Sequence, residues 1–510
     1  MAVARESWIA LGILLVFVIL KQSDGDEYIF PNTNSENEEK PSYWSKLAAD
    51  EIHRRAQYRP NKSKARNVVF FLGDGMGITT VTAGRIYKGQ QRYGKSGEEG
   101  HLSWDLFPHV SLTKTYGLDM QTSDSANTAT AYLCGVKANG KTIGVDARVK
   151  RGQCHTDRST HVPNIMTWAQ QEGMWTGLVT TTRVTHASAA GTYAHVGHRK
   201  WEGFLPKKCM VNDTKDTARQ LVEESPGNGF RVILGGGRMT FRNNTRIDEE
   251  GFPGNRSDGM DLIGDWKKSK EKCNAMYIWN RTQLLNVDPL KTDYLLGLMD
   301  SDHIPAVLAQ DKKCHPKPSL QEMAEVAIKI LRRGPKGFVL FIEGGLIDKA
   351  HHDNRAAWAL EETLGMDDAV TSALELLNTT DTLILVTADH SHVFTMGGYP
   401  ERGKHILGIA GYTADGYPIT TLSYATGPGY NETKVNYTDA EATDPNFVQR
   451  TTFKRRVDTH GGEDIATYAI GPWSHLFSGV QDQTYIAHAV SYAACFGQFA
   501  GDKCHTNVRG

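Results

Sequence analysis

Three short apolar runs in this 510-residue chain each end in carboxylates. Residues 68–72 lead into Gly73, Asp74, Gly75, Met76 and Gly77. Residues 338–342 lead into Glu343, two glycines, Leu346, Ile347 and Asp348, with His351 and His352 just beyond. Residues 382–386 lead into Asp389, His390 and His392. If the runs are strands of one sheet, all three deliver acid groups to the same edge and two add imidazoles. A preformed polynuclear metal site needs such an arrangement. Each piece has an ordinary alternative. Gly-Asp-Gly after a strand is commonly a turn, a pair such as Asp348 and His352 commonly sits on a helix surface, and Asp389-His390 can cap a helix. Together these alternatives require three coincidences at one edge. Carboxylates and imidazoles without cysteine favour zinc, with a harder oxygen-bound ion such as magnesium, over an iron–sulfur or thiolate site.

Ser125, in Asp124-Ser125-Ala126-Asn127-Thr128, is the candidate nucleophile. Small, helix-compatible residues follow it and place it at a helix N-terminus, where backbone N–H groups favour an alkoxide and a bound phosphate. Its hydroxyl needs a base or a metal to deprotonate it. Read alone, the segment is an ordinary N-cap.

The elements that must position these groups are legible as a pattern. Runs at 68–72, 176–179, 231–234, 338–342 and 382–386 are apolar throughout, as in central strands covered on both faces. Residues 320–331 and 358–377 between them have helical apolar spacing. The expectation is an α/β fold: a single large domain with a central, mainly parallel sheet covered by helices on both faces. Residues 43–55 predict an amphipathic helix, with Trp44, Leu47, Ala48 and Ile52 on one face, packed on the core or on a partner subunit. Residues 397–458, rich in Gly, Tyr, Thr and Pro, read as an insertion with little helix.

Charge is balanced, with 57 Lys and Arg against 58 Asp and Glu, a net −1 and a pI near 7.0. That excludes a nucleic-acid binder held by a basic field. At 39% hydrophobic and 23% charged residues, the composition also excludes a coiled coil, a collagen and a multi-span membrane protein. Arg5 and the 13-residue apolar run 8–20 predict a signal peptide over 1–25, since a bilayer span needs ~20 residues. A polar segment, 26–42, follows. Residues 496–510 contain Asp502, Lys503, His505 and Arg509, so no C-terminal lipid-anchor signal is expected. Asn-x-Ser/Thr sequons begin at Asn61, Asn212, Asn243, Asn255, Asn280, Asn378, Asn431 and Asn436. The reading is a secreted, extracellular, soluble glycoprotein. Its seven cysteines show no CxxC pair, so disulfides are expected and the odd count leaves one thiol, for which Cys134 in an apolar segment is the candidate.

Six segments, in order, resemble the alkaline phosphatases, most closely the animal, extracellular branch: FLGDGMG at 71–77, DSANTATAY at 124–132, TTTRVTHAS at 180–188, EGGLID at 343–348, VTADHSH at 386–392 and THGGED at 459–464. The resemblance spans roughly residues 40–500, within a domain drawn at 43–505. It implies hydrolysis of small phosphate monoesters to an alcohol and inorganic phosphate, through a phosphoserine on Ser125, at a site of two Zn2+ and one Mg2+. By the same resemblance, Asp348, His352 and His460 look like ligands of one zinc, and Asp74, Asp389 and His390 of the second. Asp74, Ser188 and Glu343 look like the magnesium ligands, and Arg199 like the arginine that grips phosphate.

The chain departs from the vertebrate pattern at Leu346, usually Arg there, and at Lys349, where those members carry His. His186 matches their residue near the magnesium. A Ca2+ away from the active site would fall to Glu249, the Met299 carbonyl, Asp300 and Asp311. Cys154–Cys209 and Cys495–Cys504 look like the family's disulfides, leaving Cys273 and Cys314 to pair and Cys134 free. The resemblance further implies a homodimer, with 397–458 as a crown at the interface and 43–55 as the N-terminal helix. A sulfatase of similar fold would need Cys or Ser followed by x-Pro-x-Arg, which the Ser125 segment lacks. A phosphodiesterase or phosphomutase explains fewer motifs, and a silent binding protein would be expected to have lost a ligand.

Overall fold

The computed structural model describes residues 35–154, 157–210, 214–311, 316–501 and 504. The expected signal segment lies outside these residues, as do Cys314 and Asn212. One ten-stranded sheet runs through the domain. Its strands are β1 (Asn67–Gly73), β2 (His109–Lys114), β3 (Trp175–Arg183), β4 (Val232–Gly236), β5 (Ala275–Ile278), β6 (Tyr294–Leu298), β7 (Phe338–Gly344), β8 (Thr382–Ala388), β9 (Ile465–Ile470) and β10 (Gly479–Asp482). The order is β10-β2-β9-β8-β1-β7-β3-β4-β6-β5. Only β9 runs against its neighbours, β2 and β8. The fold is thus the mainly parallel α/β sheet that the apolar runs predict.

Both faces of the sheet are covered, because side chains alternate along each central strand and each set meets its own layer. On β1, Val69 and Phe71 join one core cluster, while Val68, Phe70 and Leu72 join the other. Helices α2 (Ile78–Tyr93), α4 (Leu320–Leu331), α5 (Leu346–His352) and α6 (Ala356–Leu376) pack on the first face. Helices α3 (Ser125–Cys134) and α7 (Tyr485–Ala494) pack on the second. Local chemistry sets their starts. At α4, Glu322 N–H donates to Ser319 Oγ (3.1 Å) and Ser319 N–H donates back to Glu322 Oε2 (3.1 Å), a capping box.

The first helix of the domain, α1 (Pro41–Gln57), has no buried residue. Trp44, Leu47 and Ile52 are 51%, 54% and 65% exposed, so its apolar stripe does not face this chain's core. Residues 397–458 carry short strands and one four-residue helix, Asp439–Ala442, which is the low helix content expected of them. Arg402 in this region pairs with Glu38, at 2.6 Å, and with Glu99. Disulfides join Cys154 to Cys209 and Cys495 to Cys504, and Cys134 is a buried free thiol.

Helix α6 buries one unusual carboxyl. Glu362 Oε1 accepts from the Val307 N–H at 2.7 Å, and burial pushes its pKa up to about 7 from 4.5. A carboxyl raised in the folded state stabilises fully below its unfolded pKa and loses that contribution as pH rises through its folded value. Glu362→Gln keeps the acceptor and removes the charge. Denaturant unfolding should show it more stable than wild type by about 3 kcal/mol at pH 9, shrinking to under about 1 kcal/mol at pH 5.

Candidate active site

Register brings the acidic residues together. Gly73 lies opposite Gly344 on one side and Ala388 on the other, so β1, β7 and β8 end level. Asp74, Glu343 and Asp389 therefore stand at one edge. The turn after β1 requires glycine at position 75: its φ is +69°, and a Cβ there would sit 2.8 Å from His392 Cδ2. Gly75 N–H donates to Asp389 Oδ1 at 3.0 Å, which ties two strand ends together. Helix α5 starts just after β7 and carries Asp348 and His352 on one face. His460 arrives from far along the chain. The two-residue strand His460–Gly461 pairs antiparallel with Ser391–His392, placing His460 opposite His392.

Three overlapping groups of donors result, each with its ligand atoms within 4.8 Å of one another. In the first, His460 Nε2 lies 3.3 Å from His352 Nε2 and 3.4 Å from Asp348 Oδ1, and His352 Nε2 is 3.4 Å from Asp348 Oδ2. The second contains Asp74, Asp348 and His390, with His390 Nε2 3.6 Å from Asp74 Oδ1; Asp389 lies beside it, its Oδ2 3.1 Å from His390 Nε2. The third contains Asp74, Glu343 and His186, with Ser188 Oγ 3.5 Å from Asp74 Oδ2. All the carboxylates and His390 are buried.

The electrostatics fit divalent cations. Burial first, then the charges of Asp389, Asp348 and Glu343, push the Asp74 carboxyl well above its ordinary range. Burial pushes Glu343 up to about 7 and raises Asp389 as well. Burial opposes ionisation of Asp348 too, but His352, His392 and His460 hold it well below the usual carboxylate range. Burial keeps His390 neutral and lowers His352 to about 4, which leaves a ring lone pair for a metal. Two buried atoms of the third group, Glu343 Oε1 and His186 Nδ1, have no hydrogen-bond partner among the described residues. An orphaned Glu343 oxygen beside crowded carboxylates is what a cation relieves, and this set of oxygens and imidazoles suits zinc and magnesium.

Ser125 opens α3, a helix buried along its whole length. Its Oγ lies 3.3 Å from Asp74 Oδ1 and 3.3 Å from His390 Nε2. Asp124, one residue earlier, receives Arg199 Nη1 at 2.9 Å, Lys141 Nζ at 3.0 Å and the Lys141 N–H at 2.9 Å. Burial resists the Asp124 charge, yet Arg199 and Lys141 hold its carboxyl well below the ordinary range. Arg199 Nη2 donates to His186 Nε2 at 3.0 Å. The guanidinium is thereby fixed between Asp124 and His186, beside the serine helix. Leu346 is buried on α5, whereas Lys349 is half-buried and its charge adds to the lowering of His186 and His303.

The expected calcium ligands are placed differently. Met299 O and Asp300 Oδ2 both meet Lys317 Nζ, at 2.9 Å each. Glu249 Oε1 accepts from Arg242 Nη2 at 2.5 Å, and Asp311 is exposed next to residues outside the description. Asp458 and the role of His392 escaped sequence reasoning. His392 donates from Nε2 to Asp348 Oδ1 and from Nδ1 to Asp458 Oδ2, at 2.8 Å each. Burial lowers this imidazole, but the two carboxylates overcome it and hold its pKa at about 9. Held between two carboxylates, His392 is placed to orient Asp348, and its ring also falls within the first donor group. Its only sequence signal is its place two residues beyond His390.

A family model described as alkaline phosphatase matches residues 65–496. The chain belongs to the alkaline phosphatase family. It is a phosphate monoester hydrolase. It is 44% identical over 476 residues to the alkaline phosphatase of Gadus morhua, covering 91% of this chain and 99% of that one. Identity to the tissue-nonspecific isozyme of Gallus gallus is 44% over 476 residues, 91% of each chain. A membrane-bound alkaline phosphatase of Bombyx mori is 43% identical over 482 residues, 91% of this chain and 87% of that one. Among solved structures, the alkaline phosphatase of the Antarctic bacterium TAB5 superposes with a TM-score of 0.60 at 21% identity, over 86% of this chain and all of that one. The Thermus thermophilus alkaline phosphatase gives 0.61 at 21% identity, over 85% of this chain and 92% of that one. At such identity these speak for the fold. A mutant of the TAB5 alkaline phosphatase, with a TM-score of 0.59 at 21% identity over 86% of this chain and 100% of that one, carries Mg in its M3 site.

Because His392 clamps Asp348, His392→Ala should weaken divalent-metal retention by about 10–100-fold. Equilibrium dialysis against buffered zinc measures this directly.

Proposed function

We propose that this alkaline phosphatase hydrolyses phosphate monoesters through a phosphoserine on Ser125, with two zinc ions and one magnesium ion in its three donor groups. The observation that carries this reading is the Ser125 hydroxyl, fixed at a buried helix N-terminus 3.3 Å from both Asp74 Oδ1 and His390 Nε2. Asp348, His352 and His460 would hold one zinc, and Asp74, Asp389 and His390 the other beside Ser125. Asp74, shared, would hold magnesium with Ser188 and Glu343. When bound, these ions neutralise the buried carboxylates and lend Lewis acidity to the serine, the departing alcohol oxygen and the attacking water.

The chain's own groups do the rest. Arg199 keeps N–H donors beyond those given to Asp124 and His186, and its planar fork fits two phosphate oxygens. The first N–H groups of α3 face the same anion. Ser125 Oγ bonds to phosphorus in line as the ester P–O bond breaks, and the proton it gives up ends on the departing oxygen, which leaves as the alcohol. Water then attacks the phosphoserine from the vacated side, which restores the Ser125 hydroxyl and releases inorganic phosphate. Charge that builds on the equatorial oxygens is met by donors already in place.

The reading extends to a secreted homodimer. The uncovered stripe of Trp44, Leu47 and Ile52 on α1 suits a subunit contact, and two disulfides suit an oxidising compartment. Among the described residues no helix is long and apolar enough to cross a membrane.

Ser125→Ala should lower kcat on an aryl phosphate by at least about 1,000-fold with metal content unchanged; turnover that survives the substitution would sink the phosphoserine route. Arg199→Ala should raise KM and the inhibition constant of inorganic phosphate by about 10–100-fold, the worth of a charged, bidentate contact. A chelator should abolish activity, and zinc with magnesium should restore it.

A further inference from the structure

The resemblance implies a structural calcium ion at Glu249, the Met299 carbonyl, Asp300 and Asp311, and the residues present do not fit it. The ammonium of Lys317 lies 2.9 Å from Met299 O, 2.9 Å from Asp300 Oδ2 and 2.5 Å from Glu250 Oε1. An ammonium has three donors, and three oxygens receive them. The other oxygens nearby are engaged as well. Glu249 Oε1 takes Arg242 Nη2 at 2.5 Å, Glu250 Oε2 takes Arg238, and Asp248 Oδ2 takes Arg238 Nε at 2.8 Å. Asp300 Oδ1 accepts the Asp302 N–H at 3.1 Å. Calcium needs six to eight oxygens, typically at ~2.3–2.6 Å. It would have to evict Lys317 and break Arg pairs to collect them.

Asp248, Glu249, Glu250 and Asp300 are met by Arg238, Arg242 and Lys317, and it is the Lys317 ammonium that stands where a divalent ion would enter. The Lys317 side chain is only 11% exposed, which protects its pairs from full solvent screening. It also joins three segments: the loop at 248–250, the chain just past β6, and the approach to the capping serine of α4.

We propose that Lys317 is this chain's built-in replacement for a bound divalent cation, and that the region folds and holds without calcium. The protein, purified with zinc and magnesium present throughout, is dialysed against calcium, passed through a desalting column and assayed for metal by elemental analysis, with Tm recorded in parallel. Wild type should retain no calcium and show the same Tm with and without it. Lys317→Asp turns the cradle into an all-oxygen set, and it should retain one calcium per chain and show a Tm that calcium raises. Lys317→Arg should remain indifferent to calcium. Lys317→Met, which keeps the stem and loses the charge, should lower Tm while kcat on an aryl phosphate is unchanged. One calcium per wild-type chain with a rise in Tm overturns the proposal. So does a Lys317→Met protein as stable as wild type, or a folded Lys317→Asp protein that takes up no calcium. If Lys317→Asp does not fold, the wild-type and Lys317→Met results decide.

Discussion

Four carboxylates, Asp74, Glu343, Asp348 and Asp389, are packed out of water at one sheet edge, and the rest of the structure has to answer for them. Like charges in a low-dielectric interior raise one another's cost of ionisation, and the upward push on Asp74, Glu343 and Asp389 expresses that cost. No hydrophobic gain nearby offsets it, so compensation must come as positive charge. The fold provides part from its own residues. His392 is held between Asp348 and Asp458, whose carboxylates raise its pKa, and Arg199 is anchored one residue from Ser125. Imidazoles that stay neutral add lone pairs without adding charge.

The level ends of β1, β7 and β8 explain why this crowding is tolerated. Parallel pairing in register fixes the three strand ends, both core layers grip the strands from either face, and little freedom remains for the carboxylates to move apart. Strain of this kind is stable only where packing over-determines the backbone. The region around Lys317 solves a similar problem by different means. There the carboxylates lie nearer the surface and covalently attached cations meet them.

The central strands were legible because a strand covered on both faces reads as an unbroken apolar run, as at 68–72 and 382–386. Strand β2 was not, because Val110 and Leu112 turn outward while Ser111 and Thr113 face inward, the reverse of the usual alternation. Short β5 and β10 at the sheet edges carry no run long enough to notice. In the site, Asp74, Glu343, Asp348, Asp389 and His390 were readable because each lies just past an apolar run. His460, Ser188 and Arg199 lie on connections without such a signal and came only through family resemblance. His392 and Asp458 were hidden for another reason. Their roles exist only through hydrogen bonds between residues far apart in the chain, which no spacing along the sequence encodes. The same holds for Lys317, whose meaning depends on Glu250 and Asp300 lying within reach.

The pairing of His460 with His392 has a consequence for how the protein is made. Strand β9, which follows His460 closely, runs antiparallel between β8 and β2, so the last wall of the site waits for a segment that follows β1, β7 and β8 in the chain. A nascent chain can lay down β1, β7 and β8 and still lack the imidazole that faces His352. Contacts this distant in sequence form late. The first donor group is thus complete only after the segment carrying His460 has left the ribosome.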